Sequence, residues 1–330
     1  MPKNGQKKFC APMTGPDDMT IFKKFFPLVC GGLLGLVLAT GCSPYTIPSS
    51  VQTRKDIEFA RVASGPLLLD IYAPKVSTNK LPVIIWIFGG GWESGSKDFC
   101  PIAYIAARNV AIVSINYRLS NVAPYPAQIF DCKGAVRWLR ANADKYHFDA
   151  DHIGVFGASA GGHLAALLGT TAGNAELEGD VGGNLNFSSR VQAVCAFYPP
   201  TDLDLLVTNA ADRDSATTMV GKLLGGPLNQ KLAKAALASP LRFVNRDNAP
   251  FFLLHGDQDT LVPVQQSELF YDALKKAGVE AHLVIVTGKG HGIIAPPDAA
   301  QQIYQFFDRQ LKPHQSSAMH LLSQERRNVK

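Results

Sequence analysis

Residues 154–166 read G-V-F-G-A-S-A-G-G-H-L-A-A and set one serine, Ser159, between an apolar run and a run of helix formers. Gly157, Ser159 and Gly161 follow the spacing G-x-S-x-G, in which a strand turns sharply into a helix with the serine at the turn. Residues 153–156 can form a buried strand, and residues 160–168 are rich in helix formers. So tight a turn brings the backbone on either side of the serine into near contact, which excludes side chains at positions 157 and 161. The hydroxyl then stands proud of the sheet. The helix that starts beside it aims the amide of Ala160, with the positive end of its dipole, at any negative oxygen forming there. That is half of an oxyanion hole.

Outward from this turn the chain alternates strand and helix. Candidate strands lie at 83–88, 110–116, 152–156, 191–197, 251–255 and 281–286, preceded by an antiparallel pair at 57–64 and 67–72 that Gly65-Pro66 separates. Helices fit at 126–142, 160–169, 263–277 and 297–311; in the first, Ile129, Cys132, Val136 and Leu139 share one face. An antiparallel hairpin followed by parallel strands and crossover helices predicts a three-layer α/β sandwich on a mostly parallel, eight-stranded sheet. Residues 201–249 lose strand character and read as an inserted lid or pocket wall at the carboxyl edge of the sheet. Internal repeats are absent.

A serine hydroxyl is nearly inert at neutral pH and needs a base, which in turn needs a carboxylate to orient it. With this turn the expected order is Ser, then Asp or Glu, then His. The strand at 251–255 runs into a loop carrying Asp257 and Asp259, and the strand at 281–286 runs into Gly288-Lys289-Gly290-His291-Gly292. His147 and His152 precede the serine, His163 faces into its helix, His314 and His320 lie in the tail, and His255 and His282 sit at strand ends where structural roles are commoner. His291 is left as the base. Asp259 is preferred as the acid, with Asp257 read as a turn residue bonding its own loop. The other half of the oxyanion hole is expected from Phe88-Gly89-Gly90-Gly91-Trp92, where side-chain-free amides directly follow an apolar strand.

Hydrophobic residues make up 46% of the 330 and charged residues 18%, which excludes wholesale disorder. The formal charge of +5 is carried by the ends, the first 24 and last 20 residues each holding +3. The body is close to neutral, which argues against nucleic acid as a partner. Lys23 and Lys24 precede an apolar stretch ending in Leu38-Ala39-Thr40-Gly41-Cys42, the layout of a secretory signal whose last five residues resemble a bacterial lipobox. Acylation at Cys42 would anchor the protein in the cell envelope, at the outer membrane in a double-membraned bacterium. The expected organisation is therefore a leader over 1–42, with Met19 a plausible alternative start, a linker over 43–55, a domain over 56–312 and a basic tail over 313–330. Cys132 and Cys195 read as small buried apolar residues, and with Cys100 they leave a bridge between two of the three open. No spacing suggests a metal, and no cofactor motif is visible.

These motifs together resemble the α/β-hydrolases related to hormone-sensitive lipase, and within them the feruloyl-esterase-like (BD-FAE) carbohydrate esterases. The resemblance spans residues 67–311. It rests on Leu69-Asp70-Ile71-Tyr72-Ala73-Pro74, the glycine loop, Asn116-Tyr117-Arg118-Leu119, Asp131-Cys132-Lys133, Val136-Arg137-Trp138-Leu139, the serine turn, Asp259 and His291. It implies Ser159 as nucleophile, Asp259 as acid, His291 as base, and the amides of Gly90, Gly91 and Ala160 as the oxyanion hole. Phe88 stands where the family usually has histidine, a side chain that braces the loop and does not react. Trp92 and Glu93 are candidates for the substrate pocket, with core packing the alternative for Trp92; Tyr117 and Arg118 would hold the loop beneath the site. The expected activity is hydrolysis of acetyl or feruloyl esters of carbohydrates, or of small carboxylic esters. A peptidase or aryl formamidase on the same scaffold and an inactive envelope binding protein are the alternatives.

Overall fold

The computed structural model describes residues 46–312. Cys42, the rest of the leader and the tail from 313 lie outside the described residues. Eight strands form one sheet in the order β1-β2-β4-β3-β5-β6-β7-β8. These are β1 (Val51–Val62), β2 (Gly65–Pro74), β3 (Leu81–Ile87), β4 (Ala111–Ile115), β5 (Phe148–Ala158), β6 (Ala193–Phe197), β7 (Phe251–Gly256) and β8 (Ala281–Val286). β2 runs antiparallel to both β1 and β4, and every other pairing is parallel.

Side-chain alternation along the central strands builds the three layers. On β3, Val83, Ile85 and Ile87 point into one core, whereas Ile84 and Trp86 point into the other. The first core is covered by α1 (Ala127–Ala141), α2 (Ala160–Thr170) and α3 (Gln265–Lys276). The second is covered by a short 3-10 helix at Ala103–Arg108 and by α4 (Pro297–Leu311). α4 buries Ala299, Ile303, Phe306, Phe307 and Leu311, a spacing that keeps one face on the sheet, and each large side chain so buried is worth about 1.5–3 kcal/mol. Cys132 lies in the first core and Cys195 in the second, on opposite faces of the sheet, and both are free thiols, as is Cys100. Among the described residues, no helix is long and apolar enough to cross a membrane.

β1 begins at Val51, inside the 43–55 stretch expected to be linker. Its polar residues 52–56 belong to an edge strand with little core to face, so they carry no hydrophobic alternation. Cross-strand pairing from Val51↔Pro74 to Val62↔Gly65 holds them instead. A register shift between Arg54 and Ile57 is pinned where the Asp56 amide donates to Oδ1 of Asp70 at 2.9 Å. Lys97 Nζ, itself buried, lies 2.7 Å from Asp56 and 2.8 Å from Asp70.

Residues 201–249 contain four α-helices of four to six residues: Leu203–Leu206, Ala210–Arg213, Met219–Leu224 and Leu232–Leu237. Three are started by side-chain caps, from Asp202, Asn209 and Thr218. Helices this short show no apolar stripe in sequence.

Beneath α1 sits a buried charge cluster. Lys133, fully buried, donates to the Thr171 carbonyl at 2.6 Å and to Glu178 at 2.8 Å. Glu178 also accepts from Ser189 and the Gly173 amide, and Arg137 lies 3.3 Å from its other oxygen. Removing the shared carboxylate leaves two buried cations without their counter-charge, so Glu178→Ala is expected to lower the unfolding free energy by about 3–5 kcal/mol. Urea denaturation followed by tryptophan fluorescence measures it, and a loss well under 1 kcal/mol would contradict the assignment.

Candidate active site

Ser159 joins β5 to α2 as the helix's N-cap residue, with φ 55° and ψ −123°, a conformation costly for a non-glycine residue. The turn around it is as tight as the spacing predicts. A Cβ at Gly157 would overlap the Gly161 carbonyl, and one at Gly161 would overlap the Ile87 carbonyl. The glycine loop after β3 runs against the same turn, where a Cβ at Gly89 would come 2.8 Å from the Ala158 oxygen and 3.2 Å from the Ser159 Cβ. Ser159's own amide is spent on the Phe197 carbonyl at 2.9 Å. The amides of Gly90 and Gly91 donate to no acceptor among the described residues.

The loops after β7 and β8 deliver the other two groups. His291 Nε2 lies 2.9 Å from Ser159 Oγ, and its Nδ1 lies 2.7 Å from Oδ2 of Asp259. An ionised carboxylate only accepts, so Nδ1 carries the proton and the Nε2 lone pair faces the serine hydroxyl. Burial pushes the Asp259 carboxyl up, but hydrogen bonds from His255, His291 and the Val262 amide overcome this and hold it well below the usual carboxylate range. Oδ1 takes the amides of Leu261 and Val262, each at 2.9 Å, which leaves Oδ2 for the imidazoles.

Asp257 departs from expectation. Its Oδ1 accepts the Gly288 amide at 2.7 Å and so ties the acid loop to the histidine loop, not to itself. Two residues passed over in the sequence complete the surroundings. His255, fully buried, sets Nε2 2.8 Å from the Val262 carbonyl and 3.3 Å from Asp259 Oδ2, with Nδ1 2.7 Å from Ser267 Oγ. Tyr198, with φ 37°, packs its ring edge-on to His291 at 4.5 Å. The only sequence signal for His255 is its place two residues before the acid-bearing turn, and Tyr198 gives none.

For Trp92 the structure takes the core-packing alternative and not the pocket wall. Its indole is 3% exposed and donates to His163 Nδ1 at 3.1 Å. An indole N–H only donates, so the imidazole proton sits on Nε2, which donates to the Ala238 carbonyl at 2.6 Å. The glycine loop, the serine helix and residues 201–249 are thereby joined through one buried ring. Glu93 stays at the surface, paired with Lys222 at 2.7 Å. Phe88, in place of a bracing histidine, stacks on Tyr117 with centroids 4.4 Å apart, while Tyr117 Oη donates to the Phe88 carbonyl at 3.2 Å. Arg118 makes a two-pronged pair with buried Asp131.

A histidine held through one nitrogen by an ionised carboxylate, with the lone pair of the other facing a hydroxyl beside unspent amides, is arranged to take a proton from that alcohol, and the amides to receive an oxyanion. The BD-FAE family model matches residues 69–274. The chain belongs to the BD-FAE family. It is 31% identical over 291 residues to esterase LipC of Mycobacterium tuberculosis, covering 85% of this chain and 67% of that one. It is 34% identical over 207 residues to the probable carboxylic ester hydrolase LipM of the same organism, covering 60% of this chain; the chain thus spans about half of LipM, 46%. Among solved structures, a truncated carbohydrate esterase from gut microbiota superposes with a TM-score of 0.69 at 31% identity, covering 78% of this chain and 96% of that one. The BD-FAE chain is accordingly an α/β-hydrolase of the esterase group.

The buried relay has a consequence for stability. Burial pushes the His163 imidazole down to about 4, against a slight upward pull from the Ala238 carbonyl. The unfolded chain binds a proton near pH 6.5 that the folded chain refuses until about pH 4, so stability is complete above 6.5 and is lost as the pH falls toward 4. A loss on the order of 3 kcal/mol is expected across that window. Melting temperatures taken from pH 7 to pH 4 should show a fall that His163→Gln lacks; parallel curves for the two proteins would refute this.

Proposed function

We propose that this protein hydrolyses carboxylic esters through an acyl-enzyme on Ser159, with His291 as base, Asp259 as its orienting acid and the amides of Gly90, Gly91 and Ala160 as oxyanion donors. The observation that carries the reading is the 2.9 Å approach of His291 Nε2 to Ser159 Oγ, with its other nitrogen on Asp259. In acylation Oγ bonds to the ester carbonyl carbon as its proton passes to Nε2, and the carbonyl electrons move to the oxygen facing the loop amides. Collapse expels the alkoxide, which takes the proton from His291. Water then repeats the sequence on the acyl-enzyme, releasing the acid and restoring Ser159. Each oxyanion donor is worth roughly 3 kcal/mol of barrier. Acetyl or feruloyl esters of carbohydrates and small carboxylic esters are the proposed substrates, a choice supported by the family and by the carbohydrate esterase neighbour.

The lipobox supports a second proposal, that the protein is exported and held at the cell envelope by acyl chains on Cys42. Partition into a detergent phase, abolished by Cys42→Ser, tests it.

p-Nitrophenyl acetate and acetylated xylan test the reaction. Hydrolysis by the wild type, reduced roughly 10⁴- to 10⁶-fold in kcat by Ser159→Ala or His291→Ala with the fold retained, is the expected result. Equal rates in wild type and Ser159→Ala would end the proposal.

A further inference from the structure

Sheet order assigns each part of a bound ester to a side of the nucleophile. β5 carries Ser159; β3 and its glycine loop adjoin it on one side, and β7 and β8, with Asp259 and His291, lie beyond β6 on the other. A leaving alcohol must collect its proton from Nε2 of His291, so it occupies the β7–β8 side. With the carbonyl oxygen committed to the amides, the acyl substituent is directed away from His291, toward the glycine loop.

On that side the space beside Gly91 is already filled. A Cβ added there would meet Sδ of Met219 at 2.5 Å and its Cγ at 3.3 Å. Met219 is 37% exposed and belongs to neither core. The helix that presents it, Met219–Leu224, is held firmly for so short an element. Val220, Leu223 and Leu224 are buried, Thr218 caps its start, and the Tyr125 amide donates to the Leu223 carbonyl at 2.7 Å. Lys222, one turn along, pairs with Glu93 two residues beyond Gly91. Helix and oxyanion loop are therefore tied together with methionine between them.

We infer that Met219 bounds the acyl side of the ester site and determines its specificity, admitting acetyl and other short acyl groups, rejecting long or bulky ones, and so favouring acetyl over feruloyl esters among the proposed substrates. The inference rests on the serine ester hydrolase reading. Met219 reaches the reaction through the volume it occupies, so its signature is a change in discrimination between acyl groups.

The test uses the full chain and two series of esters. One runs from p-nitrophenyl acetate through butanoate and hexanoate to octanoate, and the other holds the acetyl group and varies the alcohol. A misfit methylene in a filled apolar pocket is worth roughly 10- to 200-fold in kcat/KM. Met219→Ala is expected to raise the hexanoate-to-acetate ratio of kcat/KM by roughly tenfold or more, and Met219→Phe to lower it below wild type. Met219→Leu, close in volume, should restore the wild-type profile, and thermal melts report that each variant is folded. Unchanged acyl ratios in both Met219→Ala and Met219→Phe, in chains that still cleave the acetate, overturn the assignment while leaving the hydrolase reading in place. A shift confined to the alcohol series also overturns it. Wild-type activity that survives Ser159→Ala, or no cleavage of any ester, removes the reading beneath it as well.

Discussion

The contact between the α2 backbone at Gly161 and the Ile87 carbonyl is the constraint on which the remainder of the site depends. It draws the first turn of α2 down onto the end of β3, and this forces Ser159 into its positive-φ turn while its amide is taken by β6. The same approach presses the glycine loop against the serine turn, with Gly89 beside Ser159. A strained serine costs on the order of 1–3 kcal/mol, and the buried strands on either side of β5 offset it many times over. The site is thus pre-organised by the packing of the scaffold.

Polar contacts then lock the loops to one another. Trp92, His163 and Ala238 form a chain of donors and acceptors across three segments far apart in sequence, with no unsatisfied group in the chain. Phe88 meets the same need without a polar side chain, since its stacking on Tyr117 replaces a bracing hydrogen bond and its carbonyl is satisfied by the tyrosine hydroxyl. On the opposite side Asp257 and Asp259 act as a pair. The first bonds the histidine loop's backbone, and the second bonds its imidazole. Asp259 stays ionised because donors enclose it, which is how a buried carboxylate keeps its charge.

The second histidine at Asp259 fits this economy of donors. His255 bridges Val262 and Ser267 and so closes the turn that holds Asp259, while lying near enough to the carboxylate to limit its freedom. Tyr198, strained in its backbone, fills the space beside His291. His255 thus touches Asp259, and Tyr198 touches His291.

Local pattern carried much of this protein. The spacing of Gly157, Ser159 and Gly161, the apolar runs that became β3 to β8, and chain order were enough to single out Ser159, Asp259 and His291, because strand ends at one sheet edge converge whatever the intervening loops. The start of β1, the four short α-helices of residues 201–249, the bond from Trp92 to His163, the reach of Asp257 to Gly288 and the seat of Met219 against Gly91 were not legible. Each depends on a partner contributed by a distant segment: a strand edge to pair with, a side-chain cap, a buried imidazole, a neighbouring loop. Hydrophobic periodicity records which face of an element is buried, but it does not record what it is buried against. Strand order and the packing between distant segments supply that, and only the tertiary structure sets them.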